Sequence, residues 1–176
     1  MSDYPAILVG ARHSFGRTAS IRMRPSPVWP EIGTARGNEI QWTIEIALEE
    51  GNADGSRTSV FFGRGFDQCS VDALIEFSDQ LELLRRSPSG ETTFPGFYRD
   101  CEIGFRMVDF RRGTIQIDAV VRDPGRAELG YGLLRVCKEV SFPGELKVSF
   151  LVDQSHLAEM SSQIGEFLRA LSSEAG

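Results

Sequence analysis

Apolar and polar residues alternate most regularly over 39–49, where Ile40, Trp42, Ile44, Ile46 and Leu48 interleave with Glu39, Gln41, Thr43, Glu45, Ala47 and Glu49. A period of two with β-branched and aromatic residues on one side predicts a half-buried strand of an antiparallel sheet. The turn cluster GNADGSR (51–57) and the run TSVFFGRGF (58–66) complete a hairpin. Upstream, YPAILV (4–9) and RTASIRMR (17–24) read as two short strands joined by a turn around Gly16. Between these pairs, the proline-rich stretch over 25–38 reads as a loop.

From Ser70 the period changes. Val71, Leu74, Ile75, Ser78, Leu81 and Leu84 fall at helical spacing, with Ser70 as N-cap, Asp72 in the first turn and Arg85 and Arg86 at the end where the helix dipole favours cations. A second loop over 88–99 follows. Four further strand-like runs come next, over 101–110, 113–122, 129–141 and 145–152, linked by Arg111-Arg112-Gly113 and Phe142-Pro143-Gly144. Connections this short predict a meander. Leu157, Met160, Ile164, Phe167, Leu168 and Leu171 then form a second amphipathic helix, C-terminal, capped by Asp153 or Ser155. The expected fold is therefore α+β: a mainly antiparallel β-sheet, hairpin plus meander, with two amphipathic helices in a single domain over 1–176. The halves share a strands-then-helix plan but no repeat at a solenoid period.

The 176 residues carry a formal charge of −6. That acidity disfavours nucleic acid and favours a basic protein partner. Three cysteines, Cys69, Cys101 and Cys137, form no CxxC, and their odd number suits a reducing compartment. The opening MSDYPAILVG has no basic n-region, and no run of about 18 apolar residues spans a membrane. The expectation is a cytoplasmic protein with no membrane segment.

Templates for catalysis find no match. His13 and His156 lie apart in sequence, without a nucleophile elbow, and the scattered His and Cys residues lack metal-ligand spacing. GRGF (63–66) and GYG (130–132) open no helix of a βαβ unit, so they read as strand glycines at bulges or bends rather than phosphate cradles. Asp109 and Asp118 make a formal carboxylate pair, read here as a solvated face. Neither cofactor nor metal is expected, and the chain reads as a non-enzyme.

Binding features stand out more. Trp29 in the early loop and Phe97 and Tyr98 in the later one, beside Phe94, are candidate interface anchors. Glu39, Glu45 and Glu49 form an acidic row that would meet a basic partner.

A longer pattern is also present. Strand 145–152 runs into Asp153-Gln154-Ser155 and a helix opening at Leu157; a Trp42-bearing strand precedes a hairpin containing Phe61-Phe62-Gly63, and the helix VDALIEFSDQLELL (71–84) follows. This order, over about 39–171, resembles the WapI-type immunity proteins and related bacterial domains, with a longer, more proline-rich 1–38 segment. The resemblance implies a cytoplasmic protein that neutralises a cognate toxin by direct binding, and it transfers no catalytic residues; the acidic charge suits a basic toxin domain. The alternatives are a structural domain that forms homo-oligomers and an enzyme whose site gathers a histidine, carboxylates and a thiol.

Overall fold

The computed structural model describes residues 7–12, 17–25, 39–51, 57–97, 101–122 and 145–174. Within them the chain runs β1 (Ile7–Arg12), β2 (Arg17–Pro25), β3 (Glu39–Gly51), β4 (Arg57–Ser70), α1 (Val71–Arg86), β5 (Glu91–Thr93), β6 (Cys101–Asp109), β7 (Thr114–Arg122), β8 (Glu145–Asp153) and α2 (Gln154–Glu174). The fold is mixed α+β with antiparallel pairing throughout, as the alternation and short connections predict. The strands divide into two four-stranded sheets, β1-β2-β3-β4 and β5-β6-β7-β8, each in sequential order.

Strand bounds and one short strand depart from the sequence reading; β1 runs to Arg12, past the expected end at Val9. Three residues of the expected 88–99 loop, Glu91–Thr93, form β5 and pair with β6 from Thr93 opposite Gly104 to Glu91 opposite Arg106. A strand this short carries no legible alternation. Strand β4 also continues past Phe66 to Ser70, directly into α1. The 129–141 run and the Phe142-Pro143-Gly144 link lie outside the described residues, whereas the hairpin through Arg111-Arg112-Gly113 joins β6 to β7. Gly113 takes a φ of 65° there, in the left-handed region glycine adopts without a Cβ clash.

Alternation decides the inner faces. Ile40, Trp42, Ile44 and Ile46 of β3, Cys101, Ile103, Phe105 and Met107 of β6, and Ile115, Ile117, Ala119 and Val121 of β7 are all buried. They share one hydrophobic core with the buried faces of both helices. Each helix is capped as its sequence requires. Ser70 accepts from the backbone N–H of Ala73 at 3.1 Å, and Asp153 Oδ1 accepts from that of Ser155 at 2.7 Å.

Counted from these two caps, the helices coincide residue for residue in their buried stripe. Leu74 corresponds to Leu157, Phe77 to Met160, Leu81 to Ile164 and Leu84 to Phe167, all buried. Glu76 and Glu159, Ser78 and Ser161, Gln80 and Gln163, and Arg86 and Arg169 are identical pairs. Among the described residues four antiparallel strands precede each helix, so these residues form two ββββα halves, a repeat the sequence alone left as a loose likeness.

The halves interlock. Helix α1 packs against β5 and β6 of the second sheet, and α2 packs against β1 of the first. Phe77 of α1 packs at a tilt against Phe105 of β6, ring centres 5.8 Å apart, while Phe167 of α2 meets Trp42 of β3 at 5.3 Å. The helices also touch each other, and at their contact the corresponding Ser78 and Ser161 hydroxyls hydrogen-bond at 2.9 Å.

Candidate functional site

The outward side chains of the first sheet form two aligned rows across three strands. Register places Arg22 opposite Glu45 and Glu45 opposite Arg64; the next row runs Arg24, Thr43, Phe66. Side chains at alternate positions share a face, and neighbouring strands lie about 4.8 Å apart, so both rows fit within a patch roughly 10 Å wide. Glu45 is its centre. Its Oε1 accepts from Arg64 Nε at 3.2 Å and Nη2 at 2.6 Å, a close two-pronged pair. Its Oε2 lies 4.0 Å from Arg22 Nη1 and 3.9 Å from Arg24 Nε, at the outer limit of ion pairing. The Glu45 side chain is only 12% exposed, whereas those of Arg22 and Arg24 are 46% and 53% exposed. Phe66 is 52% exposed beside them.

Among the described residues strand β4 is an edge of its sheet, and the backbone of Phe97 donates to the Gln68 carbonyl at 2.8 Å, partly covering that edge. This contact brings the 94–97 segment against β4, and its aromatics divide. Phe94 is buried and packs edge-on against Trp42 and Phe77, which anchors the segment, while Phe97 points outward at 53% exposure. Gly96 is needed for the approach, since a Cβ there would fall 2.2 Å from the buried Asp67 carboxylate.

The expected partner-binding residues are thus distributed unevenly. Glu39, Glu45 and Glu49 all belong to β3, but Glu45 is held by arginines, Glu39 accepts from the Gln68 side chain, and Glu49 also has a partner. Phe97 is presented outward. Trp29 and Tyr98 lie outside the described residues. Sequence reasoning passed over Arg22, Arg24, Arg64 and Phe66. Their signal was present as alternation with Ile21 and Met23 in β2 and with Gly63 and Gly65 in β4. What the sequence does not carry is the register that brings them together.

The other candidates resolve into structural roles. His156 Nδ1 lies 3.4 Å from Asp153 Oδ1 without forming a hydrogen bond, and Ser155 donates to the same carboxylate from its backbone and its hydroxyl. Asp153 therefore gathers both neighbours as a helix cap. The Ser155 hydrogen bond, partly opposed by desolvation, holds its carboxyl below the ordinary 3.8. Asp109 lies opposite Thr114, four residues along β7 from Asp118, so the two carboxylates are not brought together. Asp109 accepts from the backbone of Arg112, and Asp118 is held by Gln116 and Ser149.

Cys69 is buried, and its sulfur accepts from the Trp42 indole N–H at 3.1 Å. Desolvation pushes the Cys69 thiol up to about 12, the Trp42 hydrogen bond opposes that rise, and nearby Asp67 adds to it. Cys101 is buried against Gly65, where a Cβ would come within 2.2 Å of its sulfur. That close approach, and no bulge, explains this glycine of GRGF; the register shift of the hairpin lies at Leu48/Glu49. His13, Cys137 and GYG lie outside the described residues. Among the described residues, no group of His, Cys, Asp and Glu has the arrangement of a metal site, and no helix is long and apolar enough to cross a membrane.

Set against known protein families, curated proteins and solved structures, the chain matches none.

Proposed function

We propose that this chain is a non-catalytic protein-binding module of the immunity type, which neutralises a toxin in the cytoplasm by occupying its surface. The observation that carries the reading is the outward face of the first sheet, where exposed Phe66 stands beside Arg22, Arg24 and Arg64, with exposed Phe97 held against the β4 edge through Gln68. Aromatic and arginine side chains are the types enriched at the energetic centres of protein interfaces, because each offers a large contact area and arginine adds planar, directional donors. On a twisted antiparallel sheet they stand on a stiff base, so less side-chain freedom is lost on binding. The immunity assignment draws on the resemblance over 39–171, whose Asp153-Gln154-Ser155 junction forms a strand-to-helix cap here.

The test is co-expression with a toxin encoded beside this gene. The expected outcome is survival of the host cell and a complex that co-purifies. Cell death with no complex would refute the immunity assignment.

A self-associating structural domain is the second reading. It is favoured by Val108 and Leu151, exposed on the outward side of the second sheet, and by exposed Phe110 at its β6–β7 turn. Light scattering separates the two: the binding-module reading expects a monomer in the absence of its partner.

A further inference from the structure

We infer that the outward face of the first sheet receives an acidic group of a partner protein, a carboxylate flanked by an apolar side chain, seated between Arg22, Arg24 and Phe66. The inference rests on the protein-binding reading above and specifies the partner's chemistry.

Charge complementarity carries it. Three guanidinium groups share one carboxylate, and Arg22 and Arg24 lie 4.0 and 3.9 Å from its Oε2, so that oxygen neutralises both only loosely. Glu45 is engaged most closely by Arg64, at 2.6 Å, so Arg22 and Arg24 turn much of their donor surface to solvent. The neighbouring outward residues Thr43 and Phe66 are uncharged. Glu49 and Glu39, four and six residues from Glu45 along the same strand, are about 13 and 20 Å away, beyond the roughly 8 Å over which salt screens exposed charges.

The patch therefore presents a local positive field on a molecule whose formal charge is −6. An extended polyanion such as a nucleic acid strand would be repelled by the rest of the surface, whereas one or two carboxylates on a protein would feel chiefly the patch. Arginine can grip a carboxylate through paired N–H donors, and the exposed Phe66 ring gives the adjoining apolar side chain something to cover. The acidic row expected on β3 is thus reversed in sign at its centre, because register sets arginines on both sides of Glu45.

The test is selection of random displayed peptides on the immobilised full chain at near-physiological salt, followed by fluorescence anisotropy of those enriched. Peptides pairing Asp or Glu with an aromatic or aliphatic residue are expected. Arg24→Gln and the double change Arg22→Glu/Arg24→Glu should each weaken their binding by about tenfold or more, and Phe66→Ser similarly. Lys147→Glu, on the second sheet, should leave binding unchanged. Circular dichroism checks that each variant is folded, and Arg24→Gln introduces no repulsion with Glu45.

Enrichment of basic peptides, or binding indifferent to Arg24→Gln, overturns the acidic-partner inference while leaving a protein-binding role standing. Oligo-dT binding as tight as that of the selected peptides overturns it in favour of a nucleic acid. Failure to enrich any peptide overturns it as well.

Discussion

The indole N–H of Trp42 ends on the sulfur of Cys69, and burial keeps that thiol protonated until about 12. The thiolate is the reactive form, so Cys69 is chemically quiet at neutral pH, and the buried Cys101 is shielded by packing. In a Cys137→Ser variant, which removes the third thiol, Ellman's reagent at about pH 8 should find no fast-reacting group in the native protein and two after denaturation. The same shift has a sign for stability. Unfolded Cys69 ionises near its ordinary 9.0 while the folded thiol holds its proton, so this contribution is intact below pH 9.0 and declines as pH rises toward 12. Individual residues of this kind were partly legible. The buried thiol of Cys101 and the cap before α2 follow from strand pattern and local chemistry, whereas that of Cys69 lies past Phe66, where the expected strand ended. The glycines at 65 and 96 did not, because what they make room for, Cys101 and Asp67, lies on other segments of the chain.

At the scale of elements, both helices and the long alternating strands could be read directly, since a period of 3.6 or 2 sustained over ten or more residues has few competing explanations. Strand β5 could not, because three residues contain no period. The correspondence between the helices was also readable in principle, through the shared Leu, Glu, Ser, Gln and Arg spacing from each cap, but α+β strands diverge enough to hide it until the caps are aligned. Ser78 and Ser161 mark that correspondence and satisfy one another at the helix contact. Ser78→Ala and Ser161→Ala should each cost about 1 kcal/mol in urea denaturation, since each leaves a half-buried hydroxyl without its helix-contact partner. The double variant should cost less than their sum, and simple additivity would show that the bond contributes no coupling.

Across the whole molecule, sequence order and spatial cover are crossed: α1 lies on the sheet that follows it, and α2 returns to the sheet at the start. Topology of this sort leaves no local trace, which is why the alternation fixed each strand's inward side but not which helix would shield it. A chain ended before Gln154 should keep the strands of the first sheet but lose Phe167 from Trp42 and the rest of the α2 stripe from the core. In a Trp29→Phe background, so that Trp42 alone reports, that truncated chain should show red-shifted emission and no cooperative urea transition; a sharp transition with native-like emission would show that the two sheets and α1 hold a core without α2. The crossed cover also sets a timetable for synthesis. The first sheet leaves the ribosome with its tryptophan side bare, and that side is sealed only once α2 has been made, so an apolar face stays open through the synthesis of the whole second sheet.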